Sequence, residues 1–357
     1  MRRTVSASLF LLLSSLIASC ASSPSLTSEQ SVDRIMVAYT DTNGPGASVL
    51  VMRNDSIILA RTYGLASLTE RRAVTPATNF RLASMTKQFT AAAILKLSSE
   101  GKLSLSDKIL KFFPGFPLYG KEITVRHLLN HTSGLVDYED FVPDTQQYQV
   151  LDADCLQLMF KTDSLYFPAG TKYRYSNTGY ALLALIVEKV SGKRFAEYVK
   201  ENLSTPAGMT TTVAYEKGIS EVANRAYGHS RTPSGWIETD QSNTSAVLGD
   251  GGIYSNVEEY ARWAQALWTF RILPESLQRA AWTDAALNDG TPIDYGMGWH
   301  TETFRGARHP HHGGSTRGFR NHVLLFPDSH SLVVILTNRN EGDPIAEAKK
   351  IAELLIP

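Results

Sequence analysis

The sequence is poor in cysteine and carries no excess of charge of either sign. Only two cysteines occur among 357 residues, which excludes a framework of several disulfides. Lysines and arginines together number 35, as do aspartates and glutamates, so we expect no nucleic-acid partner. Apolar residues make up 43% and charged residues 20%, which are ordinary values for a globular protein with a sizeable core.

The N-terminus has the pattern of an export signal. Two basic residues, Arg2 and Arg3, precede an apolar stretch from Leu9 to Ile17 that is too short to span a membrane as a mature helix. The ending Ile17-Ala-Ser-Cys20 resembles a bacterial lipoprotein signal, which implies that Cys20 is lipidated and becomes the mature N-terminus. A plain secretory signal that is cleaved nearby is the alternative.

This pattern predicts the processing and the location of the mature protein. We expect residues 1–19 to be removed, residues 20–31 to form a serine-rich tether, and the lipid to anchor the protein on the periplasmic side of a bacterial membrane. Once Cys20 is lipidated, Cys155 has no partner for an intrachain disulfide. Its apolar neighbours predict a buried structural thiol.

Residues 32–357 form the predicted main domain, and strand patterns occur at both of its ends. The strand-like runs are Ala47–Met52, Ile57–Tyr63, Gly296–His300, His322–Phe326 and Leu332–Thr337. Helical patterns cover residues 32–40 and Ile345–Leu355 and fill much of the middle, whereas residues 210–248 look polar and irregular. We therefore predict an α+β fold, with an antiparallel sheet built from both ends (about 32–83 and 290–357), flanking helices and a mainly helical insertion (about 84–289).

The segment Ser84-Met-Thr-Lys87 is the strongest candidate for a reactive centre. Apolar residues recur at helical spacing after Ser84, so the segment up to about Gly101 is predicted to be a largely buried helix. Residues three positions apart lie on the same helix face, which places Lys87 beside Ser84. A serine hydroxyl needs a neighbouring group to accept its proton, and a buried lysine can serve.

A second match to the same spacing occurs at Ser99-Glu-Gly-Lys102. It lies in a polar, glycine-containing stretch that looks like a helix end, and no apolar run follows it. We therefore assign the reactive serine to Ser84.

Several ordered segments together resemble the serine β-lactamase and penicillin-binding-protein-like family, specifically its class C-type branch of carboxypeptidases, esterases and D-amino-acid peptidases. The segments span roughly residues 32–340: Ser84-Met-Thr-Lys87, His127-Leu-Leu-Asn-His-Thr-Ser-Gly134, Pro168-Ala-Gly170, Tyr175-Ser-Asn177, Gly251-Gly-Ile-Tyr-Ser255, Tyr295-Gly-Met-Gly-Trp299 and His312-Gly-Gly314. The resemblance implies a β-lactamase/transpeptidase-like fold and a serine that forms an acyl-enzyme.

The family's Tyr-x-Asn motif has two matches, at Tyr175-Ser-Asn177 and at Tyr254-Ser-Asn256. The second opens a helix, where Ser255 begins a predicted capping box, so we assign the motif to the first. The resemblance implies that Tyr175 exchanges the serine proton and that Asn177 binds a substrate carbonyl. A tyrosine beside a lysine ammonium is favoured as phenolate, which suits this role. Which of Lys87 and Tyr175 is the general base stays open.

The family's third motif is usually Lys-Thr-Gly on an edge strand, but here it reads His312-Gly313-Gly314, followed by Ser315. The resemblance implies that this strand binds substrate and that the backbone N–H groups of Ser84 and Ser315 form the oxyanion hole. A neutral histidine lacks the fixed charge that would meet a β-lactam carboxylate. Arg317 or Arg320 is the alternative source of that charge.

Three histidines, at positions 309, 311 and 312, raise the question of a metal site. A single cluster on one strand rarely places three ligands around zinc, and no His-Glu-x-x-His helix occurs, so we expect no metal and no cofactor.

The sequence thus predicts an exported serine hydrolase that acts through an acyl-enzyme on amide or ester substrates, such as D-amino-acid peptides or carboxylic esters. The alternatives are a β-lactamase proper and, in another class, an inactive peptidoglycan-binding or sensor protein. Expected partners are a small-molecule, peptide or ester substrate and the membrane that holds the lipid anchor. We expect the protein to be monomeric.

Overall fold

The computed structural model describes residues 26–143 and 145–356. The predicted signal and Cys20 lie outside these residues. The helices are α1 Ser28–Ile35, α2 Lys87–Ser99, α3 Ile109–Phe112, α4 Val125–Leu129, α5 Asp152–Lys161, α6 Asn177–Ser191, α7 Phe195–Val199, α8 Thr205–Ala207, α9 Leu248–Gly251, α10 Val257–Trp268, α11 Glu275–Ala281 and α12 Pro344–Leu355. Within the described part, no helix is both long enough and apolar enough to cross a membrane.

The strands fall into one large sheet and several short ribbons. They are β1 Ala47–Arg53, β2 Ser56–Tyr63, β3 Leu65–Ser67, β4 Arg72–Ala73, β5 Phe80–Arg81, β6 Val213–Ala214, β7 His229–Thr232, β8 Gly235–Glu238, β9 Ile253–Ser255, β10 Ala285–Ala286, β11 Pro292–Ile293, β12 His300–Phe304, β13 Ala307–Thr316, β14 Phe319–Phe326 and β15 Ser331–Thr337. The large sheet is antiparallel and has six strands in the order β12-β13-β14-β15-β1-β2. The predicted sheet from both ends of the chain is therefore confirmed.

The central strands are apolar on both sides because both faces of the sheet are covered. In β1, Val49 and Val51 face a core shared with α1 and α12, whereas Leu50 and Met52 face the larger core shared with the helical part. Burial on two faces explains why β1 and β15 are continuous apolar runs. A sheet with one face in water would instead show alternating apolar and polar residues.

Helix α2 runs through the larger core, and this position sets up the site. Ten of its thirteen residues are buried, including Lys87 at its first position. Its apolar residues pack against the sheet and helix α10, where Phe89 stacks on Trp263 at 4.3 Å between ring centroids. The side chain of Lys87 is therefore surrounded by protein.

Four predictions about local structure were wrong in detail. The first helix begins at Ser28, with Thr27 as its cap, so residues 28–31 of the predicted tether are helical. Residues 296–299 are not a strand, because β12 starts at His300. The region 210–248 contains β6, β7 and β8. The cap of α10 is Asn256, whose side chain accepts from the N–H of Glu259, rather than Ser255.

Cys155 is buried and carries a free thiol, as predicted. Burial and nearby carboxylates raise the pKa of this thiol far above its usual value, so it stays protonated and unreactive.

Candidate active site

Ser84 lies in a tight turn between β5 and α2. Residues 83–86 form a single 3₁₀ turn, and Ala83 has φ of +52°, a left-handed conformation that costs a non-glycine residue on the order of 1–3 kcal/mol. Within this turn Ser84 is partly exposed, whereas Ala83, Met85 and Thr86 are buried. The strained turn therefore presents one hydroxyl to solvent on an otherwise buried segment.

Lys87 is completely buried, and its ammonium group has a full set of acceptors. Its Nζ atom lies 3.3 Å from Ser84 Oγ, 2.8 Å from Asn177 Oδ1 and 3.0 Å from the carbonyl oxygen of Asp250. Three acceptors match the three donors of an ammonium group. The predicted contact between Lys87 and Ser84 is thus present in the structure.

Tyr175 completes the cluster around the ammonium group. Lys87 Nζ lies 4.8 Å from the centroid of the Tyr175 ring, and Tyr175 lines the same cleft as Ser84. The hydroxyl of Tyr175 is buried and finds no hydrogen-bond partner among residues 26–143 and 145–356. A buried polar group without a partner costs about 1–3 kcal/mol of stability. This hydroxyl is therefore available to bond to a substrate or to take part in proton transfer.

His131 holds the loop that carries Tyr175. It follows α4 with φ of +61°, its Nδ1 atom accepts from the N–H of Ser176 at 3.1 Å, and its carbonyl oxygen accepts from the N–H of Arg174 at 3.0 Å. Its ring packs 4.2 Å from the Tyr175 ring, measured between centroids. This histidine ends the helix and also fixes the orientation of Tyr175.

Asn177 is the first residue of α6, and both ends of its side-chain amide are occupied. The Oδ1 atom accepts from Lys87, and the Nδ2 atom donates to Glu139 Oε2 at 3.2 Å. The resemblance implies that this amide binds a substrate carbonyl. In the structure one of its two N–H donors bonds to Glu139, a residue that the sequence analysis did not single out.

His312 of the third motif is buried and uncharged. Its Nδ1 atom lies 2.6 Å from the carbonyl oxygen of Gly313, and its Nε2 atom lies 3.2 Å from the hydroxyl of Tyr295. Burial lowers the pKa of this imidazole well below its usual value, so the side chain is neutral at pH 7. Both nitrogens face protein groups, and His312 therefore supplies no fixed positive charge to the cleft.

The rest of the third motif lies along the turn that holds Ser84. Strand β12 pairs with β13 only as far as His311, so the edge of β13 beyond that residue is not covered by β12. A Cβ atom added to Gly314 would lie 2.1 Å from the carbonyl oxygen of Leu82, which shows how closely the two backbones approach. Ser315 is exposed and lines the depressions around Ser84.

Asn321 fixes this approach from the neighbouring strand β14. Its Nδ2 atom donates to the carbonyl oxygen of Arg81 at 2.8 Å, and its Oδ1 atom accepts from the N–H of Thr337 at 3.0 Å. The sheet is thereby bonded directly to the chain just before Ser84. Sequence reasoning missed this asparagine, since no local pattern distinguishes it.

We expect Gly314→Ala to lower kcat/KM at least ~100-fold. The added methyl would force apart the two backbones that shape the proposed oxyanion hole. Losing one backbone N–H donor from an oxyanion hole lowers the rate by about that factor. The measurement is hydrolysis of p-nitrophenyl acetate together with the melting temperature. Gly313→Ala is the matched control, since its Cβ would make only ordinary contacts, with His322 Nδ1 at 3.4 Å and the carbonyl oxygen of Asn321 at 3.7 Å. Equal losses in the two variants would contradict this account of Gly314.

Two depressions meet at Ser84. The larger has a volume of about 460 Å³ and is lined by Tyr175, Ser315, Arg320 and four histidines, at positions 300, 311, 312 and 322. Burial lowers the pKa of His300 to about 4 and of His311 to about 3, so these rings are neutral at pH 7. Arg320 is the cation on its rim, whereas Arg317 does not line it.

The smaller depression has a volume of about 40 Å³ and lies on the other side of Ser84. Its lining includes Tyr138, Glu139, Asn177, Asp250 and Ser315. Tyr138 donates to Asp250 Oδ2 at 2.8 Å, which ties the floor of this depression to α9.

Among residues 26–143 and 145–356, no three histidine, cysteine or carboxylate side chains are arranged to hold a metal ion.

The alternative motif matches have structural roles. Ser99 donates to the carbonyl oxygen of Lys96 at the end of α2, and Lys102 forms an ion pair with Glu100 at 2.8 Å. Tyr254 is buried and its hydroxyl accepts from Arg225 at 3.0 Å, while Asn256 caps α10.

The site combines a partly exposed serine, a buried lysine and a tyrosine hydroxyl that has no hydrogen-bond partner in the described part of the chain. On a sheet-and-helix scaffold of this topology, these groups define a serine hydrolase. The family model described as Beta-lactamase matches residues 32–356. The chain therefore belongs to the beta-lactamase family.

Three relatives show the range of the similarity. Penicillin-binding protein 4* of Bacillus subtilis (strain 168) is 33% identical over 316 residues, which cover 84% of this chain and 70% of the relative. A D-aminopeptidase of Brucella ovis is 30% identical over 332 residues, which cover 88% and 60%. The octameric penicillin-binding protein homologue from Pyrococcus abyssi superposes with a TM-score of 0.77 at 26% identity, covering 92% of this chain and 76% of that one.

The chain thus spans less than two thirds of the D-aminopeptidase that it resembles.

Proposed function

We propose that the protein hydrolyses amide bonds of small D-amino-acid derivatives through an acyl-enzyme on Ser84. The observation that carries this proposal is the 3.3 Å contact between Ser84 Oγ and the buried ammonium group of Lys87, with the free hydroxyl of Tyr175 alongside. The D-aminopeptidase and penicillin-binding-protein relatives support an amide substrate with D-residues.

The geometry supports a two-step reaction. Ser84 Oγ attacks the substrate carbonyl carbon, and its proton passes to whichever member of the Lys87–Tyr175 pair is deprotonated, the phenolate of Tyr175 or the neutral amine of Lys87. The C–N bond of the substrate then breaks, and the same group gives the proton to the departing amine. The backbone N–H groups of Ser84 and Ser315 stabilise the oxyanion. Water then attacks the ester of Ser84, the same pair accepts its proton, and the free acid leaves. Esters can follow the same route, so ester hydrolysis is the second reaction that we propose.

The test of this proposal is hydrolysis of D-alanine p-nitroanilide by purified protein, with L-alanine p-nitroanilide for comparison. We expect release of p-nitroaniline from the D-isomer with a clear preference over the L-isomer. No turnover of the D-isomer, with rapid turnover of p-nitrophenyl acetate, would favour an esterase instead.

We expect the protein to be a poor β-lactamase. The neutral, internally bonded His312 cannot give the charge-assisted bond that a lysine gives to a β-lactam carboxylate. The measurement is kcat/KM for nitrocefin and for the amide on the same preparation. A nitrocefin value near 10⁶ M⁻¹s⁻¹, the order found in good enzymes, would show that Arg320 replaces the lysine and would favour the β-lactamase alternative.

An inactive binding or sensor protein is the alternative from another class. Such a protein would have no chemical need for a buried lysine whose ammonium group is aimed at an accessible serine. Burying an ammonium group is costly unless it is fully hydrogen-bonded, and here the acceptors include Ser84 itself. These observations favour an enzyme.

We also propose that the protein is exported, lipidated at Cys20 and held at the periplasmic side of a bacterial membrane. The order of basic, apolar and small residues before Cys20 supports this proposal. Mass spectrometry of the mature protein should find a lipid-modified Cys20 at the N-terminus. An unmodified N-terminus at another residue would contradict it.

We propose that the protein is a monomer. Its oligomeric state has to be measured, because the similar protein from Pyrococcus abyssi is octameric. Light scattering of a soluble form that begins at residue 26 should give a mass near that of one chain.

A further inference from the structure

Asp152, the first residue of α5, is a buried carboxylate that lies outside the cleft. It lines a separate depression with a volume of about 370 Å³, which is bordered by α5, α6 and α9. This depression has no lining residue in common with the two depressions that meet at Ser84. Substrate binding at Ser84 therefore does not explain why a carboxylate is buried here.

Both oxygens of the Asp152 carboxylate hold α9. The Oδ2 atom accepts from the N–H of Leu248 at 2.8 Å, and the Oδ1 atom accepts from the N–H of Gly249 at 3.0 Å. These are the first two residues of α9, and the first N–H groups of a helix have no acceptor within it. Burial raises the pKa of Asp152 to about 7, so the charged form that serves both N–H groups is kept there at a cost.

Helix α9 in turn places an acceptor for Lys87. The carbonyl oxygen of Asp250 accepts from Lys87 Nζ at 3.0 Å. The preceding residue, Gly249, is pressed against α6, because an added Cβ atom would lie 2.2 Å from the carbonyl oxygen of Tyr180. One residue thus separates the N–H that Asp152 binds from the carbonyl that Lys87 uses.

A displacement of α9 would change the position of the ammonium group. Lys87 Nζ has three acceptors, which are Ser84 Oγ, Asn177 Oδ1 and the carbonyl oxygen of Asp250. If the carbonyl oxygen moves, the ammonium group settles against the other two and its geometry toward Ser84 changes. A misplacement of about 1 Å can slow a reaction about 100-fold, even when its cause is far from the reacting atoms.

We propose that Asp152 is a positioning residue, which holds α9 and thereby sets the position of Lys87 relative to Ser84. This inference rests on the proposed function, because it concerns the group that exchanges the proton of Ser84. It adds to that function a residue that no substrate atom contacts.

The experiment compares the wild type with Asp152→Asn, Asp152→Ala and Glu259→Ala. Asparagine keeps one acceptor for α9, whereas alanine leaves both N–H groups without one. Glu259 is the matched control, because it is also a buried carboxylate that accepts from two backbone N–H groups, those of Thr210 and Thr211. None of these three residues lines a depression at Ser84.

Three quantities are measured for each protein near pH 8, above the pKa of Asp152. They are the hydrolysis of p-nitrophenyl acetate, the stoichiometry of labelling by a fluorophosphonate, and the melting temperature. Labelling counts the competent sites, so kcat is expressed per labelled site. A residue that only stabilises the fold changes the melting temperature but not this rate.

We expect full labelling in every protein. The value of kcat per labelled site should fall about 10-fold in Asp152→Asn and about 100-fold in Asp152→Ala, with KM within about twofold of the wild-type value. Glu259→Ala should lower the melting temperature about as much as Asp152→Ala does, and it should leave kcat per labelled site unchanged.

Normal kcat per labelled site in folded Asp152→Ala, or an equal loss in Glu259→Ala, would overturn the role of Asp152. Failure of both Asp152 variants to fold, while Glu259→Ala folds, would assign Asp152 to the fold alone and would also overturn it. Absence of Ser84-dependent turnover in the wild type would instead overturn the proposed function.

Discussion

Ser84→Ala is expected to abolish hydrolysis and covalent labelling by a fluorophosphonate or penicillin-type probe. The alanine cannot form the acyl-enzyme, and removal of the nucleophile in a serine hydrolase costs on the order of 10⁶ in kcat. The side chain is small and partly exposed, so the fold should not change. The measurement is release of p-nitroaniline and gel fluorescence of the labelled protein.

The matched control for this variant is Ser99→Ala, at the second Ser-x-x-Lys sequence. Ser99 is an exposed residue that bonds only to the turn at the end of α2, so its loss should leave activity and labelling unchanged. Labelling that persists in Ser84→Ala and disappears in Ser99→Ala would show that the nucleophile had been assigned to the wrong motif.

Lys87→Met is the second change with a large expected effect. Methionine fills the buried space but cannot move a proton, so kcat should fall by on the order of 10²–10⁴. The change also leaves Asn177 Oδ1 and the carbonyl oxygen of Asp250 without their donor, which should lower the free energy of unfolding by about 1–3 kcal/mol per group. Turnover is therefore measured well below the melting temperature, with Lys102→Met, an exposed lysine at the second motif, as the control.

Tyr175→Phe separates the two members of the proton-transfer pair. It removes a hydroxyl that has no partner in the described part of the chain, so the fold should be unharmed or slightly stabilised. A fall in kcat similar to that of Lys87→Met would place both groups in the proton path. Near-normal turnover of folded Tyr175→Phe would leave Lys87 as the base acting alone.

The parts of the site that are set by local structure could be predicted from the sequence. The spacing of Ser84 and Lys87 follows from one helical turn, and the apolar residues after them indicate burial. The sheet from both ends was predictable for a similar reason, because β1, β2 and β15 have strong strand patterns. Their pairing is expected because strands from both ends of the chain can then bury their apolar residues in one shared core.

The contacts that depend on distant segments could not be predicted in this way. The bond between Glu139 and Asn177 joins residues 38 positions apart, and that between Asn321 and Arg81 joins residues 240 apart. No rule of sequence spacing predicts either of these two hydrogen bonds. Strand β13 also lacks a pattern of its own, since its His-Pro-His-His-Gly-Gly sequence has little preference for a strand and is held by its neighbours.

The acyl-enzyme on Ser84 is the central claim, and intact-protein mass spectrometry tests it most directly. The protein is mixed with D-alanine p-nitroanilide, quenched in acid within the first turnover, and digested for peptide mapping. We predict a single adduct with the mass of one D-alanyl group, located on the peptide that contains Ser84 and absent from Ser84→Ala. Product release with no adduct on any quench timescale, or an adduct on another residue, would contradict the account.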